Sequence, residues 1–343
     1  MSERSLGDPW LLGGVRVPNR VLLAPLAGIG NWFVRLQAKR YGAGMAVSEM
    51  VSSHAIHYGN RRTLQELLRI DPREREPGPP APGGPVSIQL FGPDPAIMRS
   101  AAAEVARAGA DVIDLNMGCP VPKVCKTGAG AALLSDPDRA VAIARAARAG
   151  GGLPVTVKLR CGRTRGDHSG LELARRLAGE GGVSAIALHP RSVAERHGGR
   201  PDYELVARLV GELEVPVILT GGLREAGHIR EVFDATGAAA VMLARGSLGN
   251  PWLFRELLEG VGGDPSVGQV LAELDWVIER AVEHLGAPRA SRYLRKFYPW
   301  YLARLGLERH AAASLQATLQ GEDDLRRVRE LFDAACAPQA LAA

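Results

Sequence analysis

Eight short apolar runs mark the first three quarters of the chain, at 21–26, 46–50, 86–91, 112–117, 155–159, 185–188, 215–219 and 239–243. Several are rich in β-branched residues, and amphipathic stretches fill most of the gaps between them. One such stretch, 137–149, can be capped by Ser135 or Asp136 and carries Pro137 in its first turn. Strands alternating with helices predict parallel strands joined by crossovers. Eight repeats favour a closed TIM (β/α)8 barrel over an open doubly wound sheet. A Rossmann sheet would also call for Gly-x-Gly-x-x-Gly after the first strand, and Ala27-Gly28-Ile29-Gly30 does not continue that way.

Two breaks interrupt the pattern. Residues 71–85 are dense in Pro, Arg, Glu and Gly, too polar to bury much apolar area, and are predicted to form a flexible surface insertion. After Gly260-Val261-Gly262-Gly263-Asp264-Pro265 the strand signal stops, and 267–331 reads as several amphipathic helices. The expected organisation is a barrel over 1–259 and a small helical domain over 260–343. The Ala-rich last dozen residues are expected to fray.

At 343 residues the chain has room for a barrel of about 250 and a second, small domain. No run reaches the roughly 18 apolar residues of a membrane helix, and the polar start lacks the core of a signal peptide, so a cytoplasmic location is expected. Cysteines at 119, 125, 161 and 336 form no Cys-x-x-Cys pair and are expected to be free thiols, with no metal site. A net charge of +5, carried mainly by arginine, suits a polyanionic partner.

The densest chemistry follows the fourth run, where Asp114-Leu115-Asn116-Met117-Gly118-Cys119-Pro120 turns an apolar strand into a polar, thiol-bearing tip. Parallel barrels keep their active sites at the carboxyl ends of strands. Cys119 is there either a buried structural thiol or an acid aimed across the barrel mouth, since a thiol of pKa about 8.5 is protonated near neutrality. Asn116 shares a strand face with Asp114, and its amide can meet a ligand or satisfy loop backbone. Lys158, in an otherwise apolar strand, needs an anionic partner unless it snorkels to solvent. Gln89 and His189 raise the same question on the third and sixth strands. Thr220-Gly221-Gly222 and Ala244-Arg245-Gly246-Ser247 follow the last two runs. Their small residues either admit a phosphate to backbone N–H groups or only make tight turns. Farther on, Arg292, Arg295 and Lys296 interleave with Tyr293, Phe297 and Trp300. Helical spacing turns those aromatics inward and leaves the charges outward, available to phosphates.

Residues 114–120 resemble the signature Asp-Ile-Asn-x-Gly-Cys-Pro of the tRNA-dihydrouridine synthases. Ala24-Pro25-Leu26-Ala27-Gly28 and Val47-Ser48-Glu49-Met50 resemble the bacterial B-type branch of that family. The resemblance extends over about residues 12 to 310. It implies a flavin enzyme that carries FMN, takes electrons from NADPH or NADH, and reduces uridines in tRNA, with no obligate protein partner. It also implies that Cys119 is the general acid. Around FMN it places Pro25, Leu26, Ala27, Gln89, Lys158, His189, Thr220, Gly221, Gly222, Ala244 and Arg245. Towards tRNA it places Asn116, Arg191, Arg292, Arg295 and Lys296. The chain departs from the family pattern at Leu26, Thr220 and Ala244, where Met, Asn and Gly are usual. Contacts made through backbone would survive those changes.

Overall fold

The computed structural model describes residues 4–76, 78, 81, 83–260 and 262–340, with side chains described as far as Cys336. Eight parallel strands close into a barrel: β1 (Val21–Leu23), β2 (Met45–Ser52), β3 (Val86–Phe91), β4 (Val112–Asn116), β5 (Val155–Arg160), β6 (Ala185–His189), β7 (Val217–Thr220) and β8 (Ala240–Leu243). β8 pairs with β1, so no edge remains. Prolines trim two strands relative to the apolar runs. Pro25 has no N–H, and the last ladder-like bond of β1 is Ala24 N–H to the Leu243 carbonyl, 2.7 Å. Pro216 likewise delays the start of β7.

Helices cross back along the outside after most strands, among them Pro95–Arg107, Pro137–Gly151 and Ala226–Thr236. Asp136 caps the second of these, accepting from Arg139 N–H at 3.2 Å, and Gly152 ends it in a left-handed turn. The β2–β3 connection is the exception. It runs through a short helix, Ser53–His57, and tight turns down to Pro72–Glu74.

The insertion expected to be flexible is anchored over its first part. Asp71 caps the turn Pro72–Glu74 in a reciprocal box with Glu74. Glu74 is fully buried and pairs with Arg35 of helix Trp32–Arg40, Nε to Oε2, at 2.7 Å. Arg69 and Arg73 each hold their guanidinium 4.7 Å from the ring centre of Trp32. Arg75 continues the anchorage with a forked pair to Asp111. Pro77, Pro79, Pro80 and Pro82 of the same stretch lie outside the described residues.

A hairpin unforeseen in the sequence, Trp10–Leu12 paired with Val15–Val17, stops the floor of the barrel. Trp10, Leu12 and Val17 cluster with Leu22, Met45, Val112, Ala185, Ala240 and Met242 from the barrel strands. Large and small side chains alternate there, as filled barrel interiors require. Gly13, at a φ of 55°, allows the hairpin tip to approach: a Cβ would meet Pro154 and Ser184 within 2.9 Å.

The chain divides into two compact units, Met1–Gly246 with Leu257–Glu259, and Ser247–Glu256 with Gly260–Ala343. Ser247–Glu256 thus belongs with the helical unit, short of the expected boundary at 260. That unit holds Val267–Leu285, Ala287–Leu294, Tyr298–Leu302, Arg309–Gly321 and Leu325–Ala340. The last helix runs through Ala340, where fraying was expected. Its core is built from Leu274, Val277, Leu294, Tyr298, Tyr301, Leu319 and Phe332.

Candidate active site

Above the hairpin the barrel interior changes from apolar to polar. Gln89, Asp114 and Thr156 occupy one rung across β3, β4 and β5, and Asn116 and Lys158 pair on the rung above. Alternation along each strand puts these side chains on the interior face. Gln89, Asn116 and Lys158 line the floor of a cavity at the carboxyl ends of the strands. Its wall includes Ala24, Pro25, Ala27, Met50, Cys119, His189, Thr220, Gly221, Gly222, Ala244 and Arg245. Most of the expected cofactor positions therefore converge. Leu26 does not line the cavity. Its carbonyl turns back to accept from Ile29 and Gly30 N–H, at 3.1 and 2.7 Å, because Gly28 in the left-handed region reverses the chain.

Cys119 sits on the turn after β4, half-buried and reduced. Asn116 makes the turn: its Oδ1 accepts from Cys119 N–H at 3.0 Å and Gly118 N–H at 3.3 Å. Its Nδ2 donates to Gln89 Oε1 at 2.9 Å. The amide expected to face a ligand is thus mainly engaged in shaping the loop. Burial pushes the Cys119 thiol above its usual pKa, opposed in part by Arg160 and Lys158. Cys125 donates its thiol to the Cys119 carbonyl at 3.3 Å.

Met50 reaches the wall through an irregularity in β2. The register against β3 shifts between Val47 and Met50, and Ser48 Oγ fills the gap by accepting from Gln89 N–H at 3.0 Å.

Among the lining residues described, Lys158, Arg160, Arg224 and Arg245 are cationic and no carboxylate is present. Lys158 has no hydrogen-bond or ion-pair partner among the described residues. Desolvation, with Arg160 nearby, lowers its pKa to about 8. His189 is driven far below its usual pKa by burial and by the same cations, and so stands neutral; His197, stacked on it at 6.0 Å, falls to about 4. The carboxylate that acts on Lys158, that of Asp114, is buried on the rung below, so the lining itself favours an anion.

Two glycine turns open space in this wall. Gly221, at a φ of 99°, lies so close to His189 that a Cβ would sit 2.2 Å from Cδ2. At Gly246 a Cβ would meet the Leu223 carbonyl oxygen at 2.3 Å. Thr220 lies between, with its hydroxyl bonded to the Met242 carbonyl at 3.0 Å, so it presents backbone to the cavity.

Arg160 and Arg224 were not singled out by sequence. Arg160 is buried and donates to the Ser192 and Arg196 carbonyls, at 2.8 and 2.7 Å, and to the Gly118 carbonyl at 3.2 Å. It ties the loop after β6 to the Cys119 turn. The available signal was its spacing two residues after Lys158, on the same strand face. Arg191 is held within its own loop. It is buried, and its guanidinium donates to the Gly198 and Gly199 carbonyls, at 2.9 and 2.7 Å, with its third nitrogen near His189. It braces its own loop instead of facing solvent.

In the helical unit Arg292 and Lys296 are exposed as expected. Arg295 is instead half-buried and paired with Asp323 at 2.8 Å. Of the aromatics expected to face inward, Phe297 is buried, whereas Tyr293 and Trp300 are half-buried. The buried places go to Tyr298 and Tyr301.

The dihydrouridine synthase (Dus) family model matches residues 22–336. The tRNA-dihydrouridine synthase B of Pseudomonas aeruginosa is 33% identical over 329 residues, covering 94% of this chain and 95% of its own. A probable tRNA-dihydrouridine synthase of Rhodobacter capsulatus is 34% identical over 318 residues, 91% and 93% of the two chains. Among solved structures, morphinone reductase superposes with a TM-score of 0.54 at 18% identity, over 78% of this chain and 93% of its own. Histamine dehydrogenase from Rhizobium sp. 4-9 gives 0.57 at 15%, over 74% and 48%. These two share the fold. On the sequence matches, which run nearly end to end, the chain belongs to the dihydrouridine synthase family, in its bacterial B-type branch.

Proposed function

We propose that this protein reduces the C5=C6 bond of uridines in tRNA, with FMN as its resident cofactor and NADPH or NADH as the reductant, in the cytoplasm. The observation that carries the reading is a thiol kept protonated by burial, at the rim of a cationic cavity free of carboxylates among its described lining. The residues present suit FMN. Lys158 and Gln89 would hold its ring, and Arg224, Arg245 and the turns at Gly221–Gly222 and Gly246 its phosphate. His189, neutral and buried, accepts from Arg191 at Nε2, which leaves its other ring nitrogen as a donor that brings no charge.

Bound FMN would supply the hydride that adds to C6. The chain's own groups supply the rest. A uridine extruded from the RNA meets the Cys119 thiol, which gives its proton to C5. The resulting thiolate is stabilised by Lys158 and Arg160, the two cations that pull the thiol's pKa down. Solvent then returns the proton. Arg292 and Lys296 on the helical unit would contact tRNA phosphates.

Cys119→Ala tests this. Nicotinamide oxidation and flavin content should persist, while dihydrouridine formation in tRNA falls at least about 100-fold, the scale of a lost general acid. Retained dihydrouridine formation would remove Cys119 from the role.

A further inference from the structure

One buried acid is left unused by the chemistry above. Asp114 is 1% exposed and lies on the rung below Asn116 and Lys158. Its two oxygens accept from Thr156 Oγ1 at 2.5 Å and from Gln89 Nε2 at 2.6 Å. Gln89 Oε1 then accepts from Asn116 Nδ2, and Asn116 Oδ1 accepts from the N–H of Cys119 and Gly118. A continuous chain of hydrogen bonds thus runs from β5 through β4 and β3 to the thiol-bearing turn.

We propose that Asp114 is a positioning residue that fixes the donor–acceptor polarity of the two amides beneath the cavity, and through them the turn that carries Cys119. The assignment rests on the reading of Cys119 as proton donor. A carboxylate only accepts. Gln89 must therefore turn its NH2 towards Asp114, which leaves its carbonyl oxygen for Asn116. Asn116 must in turn offer NH2 to Gln89, which leaves its oxygen for the Cys119 N–H. Reversing Asn116 would set its NH2 against the turn N–H groups, and reversing Gln89 would set its oxygen against the carboxylate and its NH2 against that of Asn116, with no hydrogen bond possible in either case. The turn N–H groups only donate and the carboxylate only accepts, so both ends demand the same direction, and the buried carboxylate holds Gln89 to it.

Burial raises the Asp114 pKa to about 6, against the hydrogen bonds of Thr156 and Gln89 and the charge of Lys158, the one charged group acting on it from a neighbouring strand. Protonation would give Asp114 a donor hydrogen and release Gln89 from its fixed orientation.

The test compares wild type, Asp114→Asn, Gln89→Glu and the double variant, each as the full purified chain. The primary readout is the rate of iodoacetamide labelling at Cys119, followed by peptide mass. Asp114→Asn, which can both donate and accept, should label about fivefold faster or more. It should also reduce tRNA with a kcat at least fivefold lower and a KM for tRNA within twofold of wild type. In the double variant the carboxylate introduced at position 89 becomes the acceptor between two amides, so Asn116 regains its orientation and labelling returns to within twofold of wild type. Should Asp114→Asn fail to fold, as judged by its melting, the contrast between Gln89→Glu (fast, because two facing carboxylates repel and push the new side chain at position 89 off Asn116) and the double variant (slow) carries the same test. Labelling of Asp114→Asn at the wild-type rate, or of the double variant at the rate of either single one, would overturn the proposal. The labelling pattern supports the chain of amides even if wild type reduces no tRNA, a result that would count against the enzymatic reading alone.

Discussion

Arg35 and Lys158 are both cations set within the barrel unit, and their surroundings could hardly differ more. Arg35 is fully buried, and every arm of its guanidinium is engaged: Nε and Nη2 on Glu74, Nη1 on the Gly30 carbonyl, Nη2 also on the Arg69 carbonyl. Lys158 points into a cavity whose described lining includes other cations and no acid. A buried charge is costly unless paired and hydrogen-bonded. Where the protein supplies the partner, as at Glu74, the charge fastens an irregular segment. Where it supplies only the more distant charge of Asp114, with no hydrogen bond or ion pair, the cation is left for a ligand to meet. The contrast locates the site more surely than residue type does, because arginine and lysine occur on both sides of it.

The largest expected effect comes from breaking the satisfied set. Glu74→Ala leaves the Arg35 guanidinium buried without its carboxylate and should cost about 3–5 kcal/mol in denaturant melts. Flavin content per folded molecule should stay near wild type; a stability loss under about 1 kcal/mol would mean that the segment 71–75 is not held through this pair. The same operation at Lys158 should have the opposite sign. Lys158→Met should leave the ligand-free chain as stable as wild type or more so, while lowering its flavin affinity at least tenfold in a titration followed by absorbance. A strongly destabilised Lys158→Met would show that the ammonium has a structural partner.

Next in size is Gly221→Ala. The new Cβ cannot coexist with His189, and alanine tolerates that backbone poorly, so about 1–3 kcal/mol of stability should go, together with flavin binding. A smaller effect distinguishes the two charge sets by pH. Lys158 has a folded pKa of about 8, below its ordinary 10.5. Its buried charge therefore penalises the ligand-free fold fully below about pH 8, and the penalty fades as pH rises towards 10.5. Stability should rise with pH across that window and the rise should shrink in Lys158→Met. Lys39, lowered to about 7, contributes a similar rise starting one unit earlier, which Lys158→Met leaves in place. The smallest effect is expected at the exposed Arg292. Arg292→Ala should weaken tRNA binding a few-fold and reduce the slope of log affinity against log salt by about one.

The barrel was legible because each strand is marked by a run of four to six apolar residues, long enough to show. The floor hairpin was not. Trp10–Leu12 and Val15–Val17 have three residues each, too few to reveal a period, and two glycines separate them. Residues 71–75 read as disordered by composition, since the charge that orders Glu74 lies at Arg35, 39 positions earlier. At the site, the strand tips carrying Gln89, Cys119, Lys158 and His189 stood out because polar side chains interrupted apolar runs. The surroundings of Arg191 and Arg295 were hidden for one reason. Sequence shows that a residue is charged, and only three dimensions show that carbonyls 198 and 199, or the carboxylate of Asp323, are waiting for it.

The stopper of Trp10, Leu12 and Val17 beneath the strands closes the barrel at its far end and leaves the pocket to be entered from the mouth. If a nicotinamide and a nucleobase both use that doorway, they must take turns. The electron donor has to leave before the RNA can present its base, so the order of events at this centre is imposed by masonry at the opposite end of the barrel.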